Sequence, residues 1–270
     1  TGLEKFADEF TRRFFDVGIA EQHAVTFSAG LAKNGLIPVF AVYSTFLQRS
    51  YDQLIHDVAM QGLKVIFCID RAGFVGSDGE SHQGLFDTAY LMSVPDLTVF
   101  APTYFDELSS MLYQAVYKEN KAVAIRYPRG AEPAKPDGYS YEKDCFNVFG
   151  NETAANCIVT YGREFAECYE AMQELEDTFV IKLNKIKPLD ATVCEKLASA
   201  KHIFLFEEGI KTGGVGECFA ALCEEQGVKA AFHHIAVPDE FVRQAEVASQ
   251  LQHYGLDKAS VIRKVTEING

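Results

Sequence analysis

Short hydrophobic runs bounded by Gly, Pro or Asp punctuate the first half of the chain: "LIPVFAVY" (36–43), "LKVIFCID" (63–70), "LTVFAP" (97–102) and "AVAIRYP" (122–128). β-Branched and aromatic residues dominate them, and their length suits buried strands. Between them, residues 46–60 and 106–119 place apolar side chains every third or fourth position, which predicts helices. Strand alternating with helix predicts a mostly parallel sheet covered by helices on both faces.

The pattern breaks at "GAEPAKPDGYSYEKD" (130–144), rich in Pro, Gly and charge and without periodicity, which reads as a linker. It then restarts. "NCIVTYG", "TFVIKLN", "HIFLFEEG" and "KAAFHHIAV" predict strands, and "FAECYEAMQEL", "TVCEKLAS" and "GVGECFAALCEEQG" predict helices between them. The fold class expected is α/β with two domains, each a mostly parallel sheet flanked by helices. The domains are expected at 1–130 and 149–270, with a linker at 131–148. No internal repeat or low-complexity tract interrupts them.

Composition narrows the function classes. The chain has 270 residues, nearly half hydrophobic, enough for two cores. Its formal net charge is -13 and no Lys/Arg run occurs, which argues against nucleic acid or an anionic membrane as partner. No apolar stretch approaches the roughly 18 residues of a membrane span, and none reads as a secretory signal. The seven cysteines (Cys68, Cys145, Cys157, Cys168, Cys194, Cys218 and Cys223) are scattered without a CxxC pair. An odd, unpatterned set predicts reduced, mostly buried thiols and a cytoplasmic protein.

One carboxylate stands out. Glu21 lies within "FDVGIAEQHA" (15–24), after Val17, Ile19 and Ala20 and before Gln22, His23 and the apolar "AVTFSAGLA". Alone, it could be a solvated glutamate at a helix N-terminus, where the dipole favours an anion. Three other stretches bear on it. "YSTFLQRSYDQLIHD" (43–57) carries Phe46 and Arg49 at a strand-to-helix junction, and "DRAGFVGSDGESHQG" (70–84) is a Gly-dense loop with Arg71, Asp78 and His82. "RYPRG" (126–130) ends the fourth strand with two arginines. Each has an ordinary reading: a plain turn, a surface histidine, a cap at a domain boundary. The Gly-dense loop matches neither a Walker nor a dinucleotide motif. All of them, however, fall near the carboxyl ends of the presumed parallel strands, where open α/β sheets place ligands. One site explains that coincidence better than several independent accidents.

At these residues a family resemblance is plain. "DVGIAEQHAVTFSAGLA", "YSTFLQRSYDQLIHDVA", "DRAGFVGSDGESHQGLFD" and "RYPRG" resemble the pyrimidine-binding domain of the 1-deoxy-D-xylulose-5-phosphate synthases, members of the transketolase-like thiamine diphosphate family. "LNKIKPLD" (183–190), "FEEGIKTGGVGECF" (206–219) and "GLDKASVI" (255–262) resemble its C-terminal transketolase domain, so the resemblance covers nearly the whole chain. It implies a catalytic role for Glu21, hydrogen-bonded to a ring nitrogen of the cofactor's aminopyrimidine and favouring its imino tautomer. Desolvation would suit that glutamate to sharing a proton with a weak base. It implies that Phe46 stacks on the pyrimidine, with Tyr43 and Ile19 nearby. His82 and Asp78 would meet the substrate, with His82 as proton donor or orienter. Arg49 and Arg129 would bind the phosphate of glyceraldehyde 3-phosphate, and Arg71 would complete a positive pocket.

The family holds thiamine diphosphate through Mg2+ bound by a GDG motif and a later Asn in a separate N-terminal domain. "SDGESHQG" and "TGGVGE" do not supply that motif, so no metal ligand is expected in this sequence. The chain opens close to Glu21, short of the first helix and strand expected of a pyrimidine domain. It is therefore expected to be the C-terminal portion of a synthase that condenses pyruvate with glyceraldehyde 3-phosphate and serves isoprenoid, thiamine and pyridoxal synthesis. Such a chain is expected to form a homodimer, to need the N-terminal diphosphate-binding domain for activity, and to be unliganded and inactive alone. The alternatives are a subunit of a split transketolase and a non-catalytic dimerisation module.

Overall fold

The computed structural model describes residues 2–141 and 144–269. Residues 1 and 270, at the ends of the expected domains, and 142–143, in the expected linker, lie outside the described residues.

In the first half, α1 (Glu4–Glu9) and α2 (Glu21–Lys33) precede β1 (Val39–Tyr43). α3 (Ser44–Leu47), a 3-10 turn (Gln48–Ser50), α4 (Tyr51–Gln53) and a π-helical stretch (Leu54–Ala59) then follow without a break. β2 (Ile66–Asp70), α5 (Asp87–Met92), β3 (Thr98–Phe100), α6 (Phe105–Tyr117) and β4 (Val123–Arg126) complete it. The second half runs β5 (Phe146–Phe149), β6 (Asn156–Tyr161), α7 (Glu164–Met172), β7 (Thr178–Leu183), β8 (Lys185–Lys187) and β9 (His202–Ile210). It ends with α8 (Val215–Glu225), β10 (Ala231–Val237), α9 (Val247–Tyr254) and α10 (Lys258–Asn269). The expected strands all form. The segment read as helix at "TVCEKLAS" is instead 3-10 in geometry (Ala191–Leu197), and β5 begins inside the segment read as linker.

Two five-stranded sheets result, in the orders β1-β2-β4-β3-β8 and β10-β9-β6-β7-β5. Within each, four strands are parallel and one edge strand is antiparallel: β8 against β3, and β5 against β7. The chain leaves the second sheet at Leu183 and joins the first at Lys185, so Asn184 is the hinge of the crossing. That residue is fully buried; its carbonyl accepts from Ala101 N–H at 2.9 Å and its amide donates to Asn147 Oδ1 at 2.7 Å. One apolar cluster runs through both halves, joining Val25, Leu54, Phe67 and Val99 to Val159, Phe179, Leu205 and Phe219. A second lies under α7 and α10, and a smaller one lies beneath α6.

All seven cysteines are free, five of them buried. Burial pushes the Cys68 thiol up to about 12, which leaves it unreactive. Among the described residues, no helix is long and apolar enough to cross a membrane.

One buried ion pair crosses this double core. Lys182 on β7 and Glu107 on α6 are both fully buried, 2.9 Å apart. Glu107 also accepts from Thr103 N–H at 2.7 Å and from the Tyr139 hydroxyl at 2.6 Å. Burial lowers the affinity of Lys182 for its proton, and Glu107 pulls the other way. Lys182→Met is expected to destabilise the fold by roughly 3–5 kcal/mol, because it strands a buried carboxylate. In urea unfolding, the double variant Glu107→Gln/Lys182→Met should lose less than the sum of the two single variants; additive losses would mean the pair is not coupled.

Candidate active site

Gly18 turns the chain with positive φ and Ala20 caps α2, which places Glu21 in the first helical turn. The side chain has no cap role of its own there, yet the helix dipole favours its charge. Glu21 is buried, at 7% exposure, beside a cleft of about 190 Å³. Val17, Gly18, Ile19 and Ala24 form one wall, and residues 40–43 with Phe46 the other. Ile19 lines this cleft but stands 88% exposed at its rim.

β1 delivers Tyr43 at its carboxyl end, and α3 follows at once with Phe46. The two rings stack, with centroids 5.5 Å apart and planes 16° off parallel. The edge of His82 meets Phe46 at 5.3 Å. From the 3-10 turn, Arg49 reaches back so that Nη1 lies 3.3 Å from Glu21 Oε2 and its guanidinium sits 5.6 Å from the Phe46 ring centre.

The loop after β2 is closed at its neck by two backbone hydrogen bonds, Gly73 N–H to Gly84 O at 2.7 Å and Gly84 N–H to Gly73 O at 2.9 Å. Gly84 admits no side chain: a Cβ would fall 1.9 Å from the Arg71 carbonyl oxygen. Arg71 itself has φ 61°, unusual outside glycine and of the kind stored at functional sites. Its guanidinium lies 3.8 Å from the Tyr43 ring centre and bonds Asp70 Oδ2 at 2.6 Å and Asp78 Oδ2 at 2.8 Å. Arg129 also donates to Asp78, and to Ser77 Oγ at 3.4 Å. Ser81 Oγ lies 3.0 Å from His82 Nδ1, while Thr45 Oγ1 donates to the Ser81 carbonyl at 3.0 Å.

The structure thus brings Glu21, Ile19, Tyr43, Phe46, Arg49, Arg71, Asp78, His82 and Arg129 to one sheet end. It separates the two arginines of "RYPRG": Arg126 is buried and paired with Asp87 through 2.9 and 3.2 Å bonds. The excess of positive charge expected there is absent, because each site arginine meets a carboxylate. Sequence reading missed three supporting residues. Asp70 and Ser81 adjoin predicted site residues in sequence and were readable; Thr45 was not, because its partner is 36 residues away.

The first half matches the model for "Transketolase, pyrimidine binding domain" over residues 1–134, and the second matches "Transketolase, C-terminal domain" over 151–261. The chain belongs to the transketolase-like family. It is 41% identical over 274 residues to the 1-deoxy-D-xylulose-5-phosphate synthase of Nitrosomonas eutropha, covering 99% of this chain and 44% of that protein. The synthase of Clostridium kluyveri is 43% identical, with 99% and 44% covered. The chain therefore spans less than half the length of the curated relatives it matches. Among solved structures, "Split gene transketolase, inactive beta4 tetramer" superposes with TM-score 0.85 at 25% identity, over 99% of this chain and 88% of that one. Transketolase from Leishmania mexicana superposes with TM-score 0.78 at 19% identity, over 93% and 37%.

Members of the transketolase-like family depend on thiamine diphosphate, and the cleft fits its aromatic end. The donor set is a buried carboxylate, a flat aromatic pair and apolar walls, which suits a heteroaromatic ring with basic nitrogens. Among the described residues, no group of three His, Cys, Asp or Glu is placed to hold a metal ion.

Burial acts to raise Asp78, but Arg71 and Arg129 outweigh it and hold the carboxyl below its ordinary value. A carboxylate with a depressed folded-state pKa contributes stability above its unfolded pKa of about 4. That stability is lost as pH falls through the lower folded value. Asp78→Asn is therefore expected to lower stability at pH 7, with the deficit shrinking as the pH drops below about 4. Denaturant titrations of both proteins across pH 3–7 check this; a constant deficit would deny Asp78 an ionic role.

Proposed function

We propose that this chain supplies the pyrimidine-binding and C-terminal domains of a thiamine diphosphate-dependent 1-deoxy-D-xylulose-5-phosphate synthase. The proposed division is 1–130 and 149–270. The whole enzyme would join pyruvate to glyceraldehyde 3-phosphate with release of carbon dioxide. We also propose that it acts as a cytoplasmic homodimer, with Mg2+ and the diphosphate held by the remaining portion of the protein. The substrates rest on the name shared by the relatives that match 99% of the chain.

Glu21 is the observation that carries the reading: a carboxylate at a helix N-terminus, buried beside an aromatic wall. When bound, thiamine diphosphate supplies a carbanion-stabilising centre. Glu21 would hold a proton opposite a ring nitrogen, strengthened by its low-dielectric surroundings. Arg49 meets Oε2 of the same carboxylate at 3.3 Å. Phe46, stacked on Tyr43, would offer a ring face to the bound pyrimidine. With Ser81 holding Nδ1 of His82, Nε2 is left to meet the substrate. Arg129, 45% exposed, would take the phosphate of the aldehyde.

In the complete enzyme, Glu21→Ala is expected to lower kcat about 10²–10⁴-fold while the unfolding midpoint stays unchanged. Steady-state kinetics and thermal unfolding on the same samples decide it, and near-normal turnover would refute the assignment.

Arg129→Ala is expected to weaken the phosphorylated aldehyde by about 10- to 100-fold, from loss of a charge-assisted bond. The KM for pyruvate should stay within about twofold. Equal losses for both substrates would make Arg129 a structural residue.

A further inference from the structure

The loop that carries Asp78 and His82 belongs to the first sheet, but its neck is gripped by the second. Glu208, on β9, points its carboxylate at the backbone of Phe74, whose N–H donates to Oε1 at 2.7 Å. Arg163, between β6 and α7, donates to the same Oε1 and to the Phe74 carbonyl at 3.1 Å. Its other terminal nitrogen donates to the Arg129 carbonyl at 3.3 Å. One ion pair of the second half therefore holds both backbone polar groups of Phe74, at the neck of one site loop, and a carbonyl of the other.

Sterics confirm the closeness of that grip. Gly73 has φ +85, and a Cβ there would fall 2.4 Å from the Glu208 carboxyl carbon. Glu208 is buried and the Arg163 side chain is mostly so, so these bonds are shielded from competing water. Farther along, Val247 and Gln244 of the second half touch the same loop: Gln244 Nε2 reaches the Ser77 carbonyl at 3.5 Å, and Val247 packs 3.1 Å from where a Cβ on Gly76 would be.

From this geometry we infer that Arg163 and Glu208 are positioning residues of the substrate pocket: they set the neck of the 73–84 loop and the Arg129 peptide relative to each other. Resting on the proposed synthase reading, they would align Arg129, and Asp78 as its partner, for the phosphate of the aldehyde without touching it. A charged pair of this kind outperforms apolar contacts in the task. Its hydrogen bonds specify direction as well as distance.

The test uses the full-length protein with Arg163→Ala, and with Glu208→Gln as a milder variant that keeps shape and an acceptor for Phe74 N–H. Hydrogen exchange is expected to speed up about tenfold or more at amides 74–82 and 129–130, with β6, β7 and β9 unchanged. The KM for the aldehyde phosphate should rise about tenfold, with the KM for pyruvate within about twofold and Arg163→Lys restoring part of the loss. Unchanged exchange in both folded variants, or a uniform rise across both sheets, would overturn the inference. Local loosening with an unchanged aldehyde-phosphate KM would support the clamp and count instead against the substrate reading.

Discussion

Two sheets share one interior here, and three ion pairs are set into it. Lys182 meets Glu107, Arg126 meets Asp87, and Arg163 meets Glu208, each pair with little or no exposure. Apolar contacts alone would let the halves slide, since one methyl group replaces another at little cost. A slide that parts a buried pair leaves a charge unmatched, at about 3–5 kcal/mol. The pairs therefore fix the register between the sheets, and the crossing at Asn184 fixes it again through the backbone. Two of the three pairs join one half to the other or grip its loops; Arg126 and Asp87 do the same work within the first half, beneath the site. The candidate site lies where this register ends, so its loops inherit the order of the seam.

Much of this was legible in the sequence because local pattern decides it. Strand segments such as 66–69 and 203–206 are apolar on both faces, as buried parallel strands must be. Pattern failed where context decides. β8 is three residues, "KIK", and becomes a strand only because β3 offers it an edge. "TVCEKLAS" has helical spacing, but Asp190 caps it and it closes as 3-10 turns. α5, α9 and α10 were passed over because each follows a loop rather than a clear apolar strand.

The site divided the same way. Glu21, Phe46, His82 and the arginines lie in long recognisable stretches. The second-half residues that grip the neck of the site loop do not stand out. "FEEG" reads as two ordinary acidic residues, yet strand alternation sends them to opposite faces. Glu207 receives the Tyr161 hydroxyl at 2.6 Å, His234 Nε2 at 2.5 Å and two amides at the start of α8. Glu208 faces the first half and finds Phe74, 134 residues away. No spacing rule reaches that far; only the assembled sheets bring the two together.

Charge at the site is balanced rather than positive, and the balance has a direction. Arg71 is held by Asp70, Asp78 and the face of Tyr43, and is mostly buried. Arg129 shares Asp78 from an exposed position, where an ion pair is worth about 0–1 kcal/mol. An arriving dianion would therefore take Arg129, the loosely held partner, while Arg71 kept Asp78 in place. Arg49 is placed alike: half exposed, bonded to Glu21 by one 3.3 Å contact. Under the proposed function, a Glu21 that shares its charge with a bound ring through a proton holds Arg49 less strongly. Cofactor binding would then loosen the second arginine in the same step that activates the carboxylate. The pocket's affinity for phosphate would thus be coupled to its occupancy by the ring, because one carboxylate serves both.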